Sequence, residues 1–262
     1  MAKQPAFFIP HGGGPSFFMD DPQGIWTGMR DFLASLSTRL PEKPSAILLV
    51  SAHWETAGFA LTGAAKPDLI YDYYGFPEHT YQLQYPAVGA PDIASLAATL
   101  IENAGVPVRV DTERGFDHGV FIPLKVAFPG ADIPVVAMSV EHGLDPALHL
   151  AAGRALAPLR DQGVVIIASG MSFHNLRAFK QTAMALPSTE FDKWLVGVAT
   201  LPHAARAVSL EQWAKAPFAQ IAHPEAEHLL PLMVAAGASD QPGQHIFRDV
   251  LFSSAVSAFQ FN

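Results

Sequence analysis

The chain has 262 residues, half of them apolar and 15% charged, enough to bury a large core and too apolar for a disordered chain. Its net charge of -8 leaves no basic face for nucleic acid, whose phosphates are held by Lys and Arg. It has no cysteine, which excludes disulfides, thiolate metal sites and a cysteine nucleophile.

In chain order, short β-rich apolar runs at 6–9, 46–52, 107–110, 133–140 and 164–168 read as buried strands, each bounded by Pro, Gly or Ser. Ala- and Leu-rich segments at 25–38, 91–104, 146–160, 189–200 and 224–236 carry apolar residues at a helical period. The alternation predicts an α/β fold: a single three-layer domain over residues 1–262, with a central, mostly parallel or mixed sheet flanked by helices. Residues 64–89 break the pattern with Tyr71, Tyr73, Tyr74, Phe76, Tyr81 and Tyr85. Such a loop either walls a pocket for a flat ring or packs over the core by its own aromatics. Residues 201–217 read as a connector with a short helix. No apolar run approaches the roughly 20 residues of a membrane helix. Ala6-Phe-Phe-Ile is too short for a signal-peptide core. A soluble cytoplasmic protein is expected, monomer or homodimer.

Five of the 11 histidines have distinctive settings. Four stand where an apolar run meets a turn: Phe7-Phe-Ile-Pro-His11-Gly-Gly-Gly, Ile47-Leu-Leu-Val-Ser-Ala-His53-Trp, Gly115-Phe-Asp-His118-Gly, and Val164-Val-Ile-Ile-Ala-Ser-Gly-Met-Ser-Phe-His174-Asn. The fifth, His228, is expected on a late helix running from Pro224 to a Gly237 cap and kinked by Pro231. Ligands of open α/β sheets gather at the carboxyl ends of strands, and neutral imidazole is the commonest metal ligand. Histidines delivered there from several strands suit one metal centre with acid/base partners. For His174, ligand and acid/base fit equally well. Asp117 can orient an imidazole, Glu227 can face solvent or offer a carboxylate, and Arg177 can clamp a substrate carboxylate. A Ser-His-Asp triad using Ser51, Ser169 or Ser172 lacks a nucleophile elbow. The glycines after His11 match neither a P-loop nor a dinucleotide fingerprint.

Taken together and in order, Pro-His11-Gly-Gly-Gly-Pro, Val-Ser-Ala-His53-Trp-Glu, Gly-Phe-Asp-His118-Gly-Val, Ile-Pro-Val-Val-Ala-Met-Ser-Val, Ala-Ser-Gly-x-x-x-His174-Asn-Leu-Arg177 and Glu-His228-x-Leu-Pro-Leu resemble the class III extradiol ring-cleaving dioxygenases, in the branch of the DOPA 4,5-dioxygenase-like proteins. The resemblance runs from residue 6 to about 238. It implies a non-haem divalent metal, Fe2+ or Zn2+, held by His11, His53 and His228. His174 would be a fourth ligand or the acid/base, and His118 a second histidine handling substrate protons. It implies a small aromatic diol and O2 as reactants, with Fe2+ expected for oxygenase activity. The flat ring would be gripped by Trp54, Phe173 or the tyrosine-rich loop, with Arg177 on a substrate carboxylate. Protocatechuate-cleaving relatives use a glutamate where this chain has His228, and many relatives have serine in the loop after His11. All-histidine ligation also suits a zinc hydrolase, or a metal-binding relative without catalysis.

Overall fold

The computed structural model describes residues 1–178 and 180–262. Its strands are β1 (Ala6–Pro10), β2 (Ala46–Thr56), β3 (Phe59–Thr62), β4 (Val108–Asp111), β5 (Val135–Glu141), β6 (Val164–Gly170), β7 (Gln244–Leu251) and β8 (Ser254–Phe261). The helices are α1 (Thr27–Ala34), α2 (Pro91–Asn103), α3 (His118–Ala127), α4 (Pro146–Asp161), α5 (Ala185–Ala199), α6 (His203–Glu211), α7 (Ala219–Ala222) and α8 (Leu230–Gly237). One mixed sheet runs in the order β4-β3-β5-β2-β6-β1-β8-β7. The α/β architecture is therefore as the alternation predicts.

The centre of the sheet explains itself. β1, β2, β5 and β6 are near-continuous apolar runs, buried along almost their whole length, as parallel strands covered on both faces must be. β6 lies between β1 and β2, parallel to both. Pro10 pairs with Gly170 and Ser51 with Ser169, so β1 and β6 end together and β2 runs five residues beyond its last pairing with β6. The register between β2 and β5 shifts between Val50 and Glu55, a local irregularity that re-aims side chains around His53. α8 packs on β1, β2 and β6 and against α4, while α3 packs on β2 and β6 and against α1. Among the described residues, no helix is long and apolar enough to cross a membrane.

Five elements depart from expectation. β3 has only four residues after the Gly58 turn, too few to show a pattern. β7 and β8 form an antiparallel hairpin whose turn places Phe252 and Ser253 at φ 49° and 89°, without the Asn or Gly that usually announces one. α3 is apolar all round and holds Pro123, so it shows no helical period. The late helix begins only at Leu230, with Pro231 in its first turn where the missing N–H costs nothing. His228 therefore sits in the turn before α8 rather than on it, and the expected kink is absent.

Candidate active site

His11 follows the last residue of β1, His53 lies in the final stretch of β2, and His118 opens α3. His174 comes four residues beyond the end of β6, and His228 is in the turn before α8. These distant positions converge. The Nε2 of His53 lies 3.0 Å from Nε2 of His11 and 3.3 Å from Nε2 of His228. His118 stands beside His53, ring centroids 3.9 Å apart, and His174 stacks on His228 at 3.4 Å.

Two glycines permit this. Gly12 has φ +82°, and a Cβ there would come within 2.7 Å of Phe17, so the chain turns sharply as soon as His11 is placed. At Gly170 a Cβ would fall 2.2 Å from the carbonyl oxygen of His228. The turn carrying His228 thus lies directly against the end of β6, and Met171 N–H donates to that same carbonyl at 2.9 Å.

The outer nitrogens of His11, His118, His174 and His228 each face a definite partner. Ser169 donates its hydroxyl to the carbonyl of Gly119 at 2.5 Å, which leaves its oxygen to accept from Nδ1 of His11 at 3.1 Å. Glu227 Oε1 accepts from Nδ1 of His228 at 2.7 Å and faces Nδ1 of His174 at 3.2 Å. Asp72 Oδ1 accepts from both the backbone N–H and Nδ1 of His118, each at 2.9 Å, and its Oδ2 is 4.0 Å from Nδ1 of His53. Asp72 thereby caps α3 from the aromatic loop while it orients the ring. Behind β2, the buried Asp117 accepts from Ser51 at 2.7 Å and from Arg114 at 3.0 Å, and the Ser51 oxygen in turn accepts from His53 N–H at 3.2 Å. Asp117 therefore supports the backbone of β2 instead of orienting an imidazole.

Nε2 of His11 and Nε2 of His228 both face Nε2 of His53. Burial, then the neighbouring imidazoles, holds His11 and His53 well below the ordinary histidine range. Burial also lowers His228 to about 4, against the pull of Glu227. Protonation is thus disfavoured, and lone pairs 3.0–3.3 Å apart repel unless a cation sits among them. Tetrahedral coordination at roughly 2.0–2.1 Å sets ligand nitrogens about 3.3 Å apart, so the donor set fits a small divalent metal. Burial raises the Glu227 carboxyl, but hydrogen bonds from His174 and His228 outweigh it and hold the group well below the carboxylate range. Glu227 is half-buried behind two imidazoles, and its Oε2 is buried without a hydrogen-bond partner among the described residues.

The cluster opens into a cavity of about 280 Å³ lined by His11, His53, His118, His174 and His228, with Gly12–Gly14, Trp26, Tyr73, Phe76, Met171 and Leu176. Tyr73 and Phe76 bring the aromatic loop to its wall, the first of the two roles open to that segment. Trp54, Phe173 and Arg177 do not line it. Trp54 follows His53 in a strand, where alternate side chains point to opposite faces, and its ring lies 5.1 Å from the Arg114 guanidinium. Phe173 is sealed in the core and Arg177 is exposed. Sequence reasoning missed Trp26 and Asp72, the latter in a loop noted only for its rings.

The comparisons with known proteins agree with this geometry. The model of the family described as "Catalytic LigB subunit of aromatic ring-opening dioxygenase" matches residues 5–260. The chain is 41% identical to Dioxygenase tasH of Hapsidospora irregularis, covering 92% of this chain and 80% of that one. It is 39% identical to a 4,5-DOPA dioxygenase extradiol of Beta vulgaris, over 90% of this chain and 87% of the relative. A crystal structure of an uncharacterized Escherichia coli K12 protein superposes with a TM-score of 0.79 at 30% identity, covering 99% of this chain and all of that one. The chain belongs to the LigB family of aromatic ring-opening dioxygenases, the class III extradiol enzymes.

Proposed function

We propose that residues 1–262 act as one catalytic domain that opens the ring of a catechol-type substrate with O2, incorporating both oxygen atoms. One divalent metal would be held by His11, His53 and His228. The observation that carries this reading is the meeting of the Nε2 atoms of His11, His53 and His228 at the base of an aromatic-walled cavity. When bound, Fe2+ supplies acidification of the catechol hydroxyls and an electronic path to dioxygen; Zn2+ fits the same donors but lacks the second property.

The chain's own residues do the rest. Asp72 fixes the Nδ1–H tautomer of His118, which leaves Nε2 as the acceptor for a catechol proton. His174 has its Nδ1 on Glu227, so its Nε2 is available either as a fourth ligand or to return a proton during ring opening. Trp26, Tyr73 and Phe76 exclude water and hold the flat ring.

The test is anaerobic loading of metal-free protein with Fe2+ or Zn2+, followed by catechol, DOPA, protocatechuate and gallate, then air. Oxygen uptake with a new visible absorbance is expected with Fe2+ alone. Fully loaded iron protein that consumes no oxygen with any of them overturns the reading. Zinc-supported ester or amide hydrolysis would instead assign the site to a hydrolase. Replacing His174→Ala separates its two roles, since an acid/base variant keeps its metal and a ligand variant loses it.

A further inference from the structure

A second cavity of about 370 Å³ lies beside the metal-side one, and Gly13, Trp26 and Phe76 line both. The metal-side cavity alone is at the small end of the range of roughly 300–1,000 Å³ for ligand pockets, whereas the pair falls well inside it. At the shared wall Gly13 offers no side chain, and a Cβ there would stand 3.3 Å from the Trp26 ring. The outer cavity is mainly apolar, walled by Met19, Ile25, Trp26, Phe76 and Phe252. Of its charged groups, Asp21 is already committed to the backbone N–H groups of Ile25 and Trp26, at 2.9 and 2.8 Å. Asp20 and Lys180 are exposed, and Lys180 lies 5.3 Å from the Phe252 ring.

We infer that the outer cavity is a subsite for an extended, apolar substituent on the ring substrate, which passes over Gly13 while the diol faces the histidines. This rests on the ring-opening reading above and adds to it the substrate class: catechols carrying a bulky apolar arm, in preference to compact ones. Trp26 and Phe76 would contact both halves of the ligand. Met19 and Ile25 touch only the arm and are therefore specificity-determining.

The test is anaerobic calorimetric titration of the metal-loaded protein with catechol, DOPA and 4-benzylcatechol, for the wild type, Met19→Asp and Ile25→Asn. The benzyl compound is expected to bind about tenfold or more tightly than catechol, as filling an apolar pocket gives. Either substitution should erase most of that preference and leave catechol affinity unchanged; two variants guard against misfolding of one. Equal affinities in the wild type, or variants that weaken all three ligands alike, overturn the subsite. Tighter binding of DOPA than of the benzyl compound overturns its apolar character and points to Asp20 and Lys180. Oxygen uptake is read separately: a benzyl preference without ring opening supports the subsite and overturns the reaction.

Discussion

The half of the site carrying His11 and His53 and the half carrying His174 and His228 reach one point by different means. The first is delivered by two strands that both pair in parallel with β6, up to Pro10 and Ser51. The second hangs on loops, tied by Met171 N–H to the carbonyl of His228 and His174 N–H to that of Ala222. In the strand-borne half Ser169 supports the His11 ring, while Nδ1 of His53 lies 4.0 Å from Asp72, beyond hydrogen-bond reach. In the loop-borne half one carboxylate, Glu227, faces both rings. The sheet positions a ligand from far away, whereas a loop must position it locally, so its supporting residues should matter more.

The largest effect expected is from His53→Ala, which removes the nitrogen lying nearest both others. Metal affinity, measured by competition with a chelator, should fall by more than the roughly 10–100-fold that loss of a supporting partner costs. Turnover should vanish with it. Next comes Glu227→Gln, which takes away the charge behind His174 and His228. It should cost about 10–100-fold in metal affinity. Ser169→Ala, the matching change on the strand side, should cost only a few-fold, about the lower edge of that range or less. Equal losses in the two variants would break the contrast between sheet-borne and loop-borne support.

Asp72→Asn sharpens the contrast differently, because Asp72 belongs to neither half. Burial raises its carboxyl, but the hydrogen bond and charge of His118 outweigh that and hold it low, so it is an anion beside that ring. The amide still accepts from His118 N–H and keeps α3 capped. Turnover should fall by about a hundredfold through loss of the anion that steadies the protonated His118 ring, with metal content retained. An unchanged rate would remove His118 from the proton chemistry.

What was legible in the sequence follows the same division. β1, β2, β5 and β6 are apolar runs with turn residues at their ends, so both the strands and the histidines leaving them could be read. His228 was recognised but placed on a helix, because Pro224 and Gly237 look like helix punctuation while Pro231 is the true first-turn proline. Asp72 carries no local signal: its partner lies 46 residues away, and only the folded loop brings them together. Of the wall residues the sequence offers, the aromatic loop lines the cavity through Tyr73 and Phe76 and Trp54 does not. Trp54 follows His53 in a strand, where neighbours face opposite ways, and Trp26 comes from a turn with no motif at all.

The smallest effect on the metal should come from Ser51→Ala, deep in the strand-borne half. The hydroxyl bridges Asp117 and the backbone N–H of His53. Its loss leaves a buried carboxylate oxygen short of a donor, costing about 1–3 kcal/mol in chemical denaturation of the metal-free protein. Metal affinity should move less than about threefold, because the β2–β6 ladder still fixes the strand as far as Ser51, two residues before His53. The cost should also depend on pH. Burial pushes the Asp117 carboxyl above its usual range, and the Ser51 hydrogen bond pulls it partly back. A carboxyl raised by folding binds more protons folded than unfolded, so its contribution to stability falls as pH rises through that window. Removing Ser51 raises it further and widens the window, so the variant should lose more relative to wild type near about pH 7 than near about pH 4. A metal affinity that falls as far in Ser51→Ala as in Glu227→Gln would mean that the sheet does not hold His53 by itself, and that the two halves of the site are built alike.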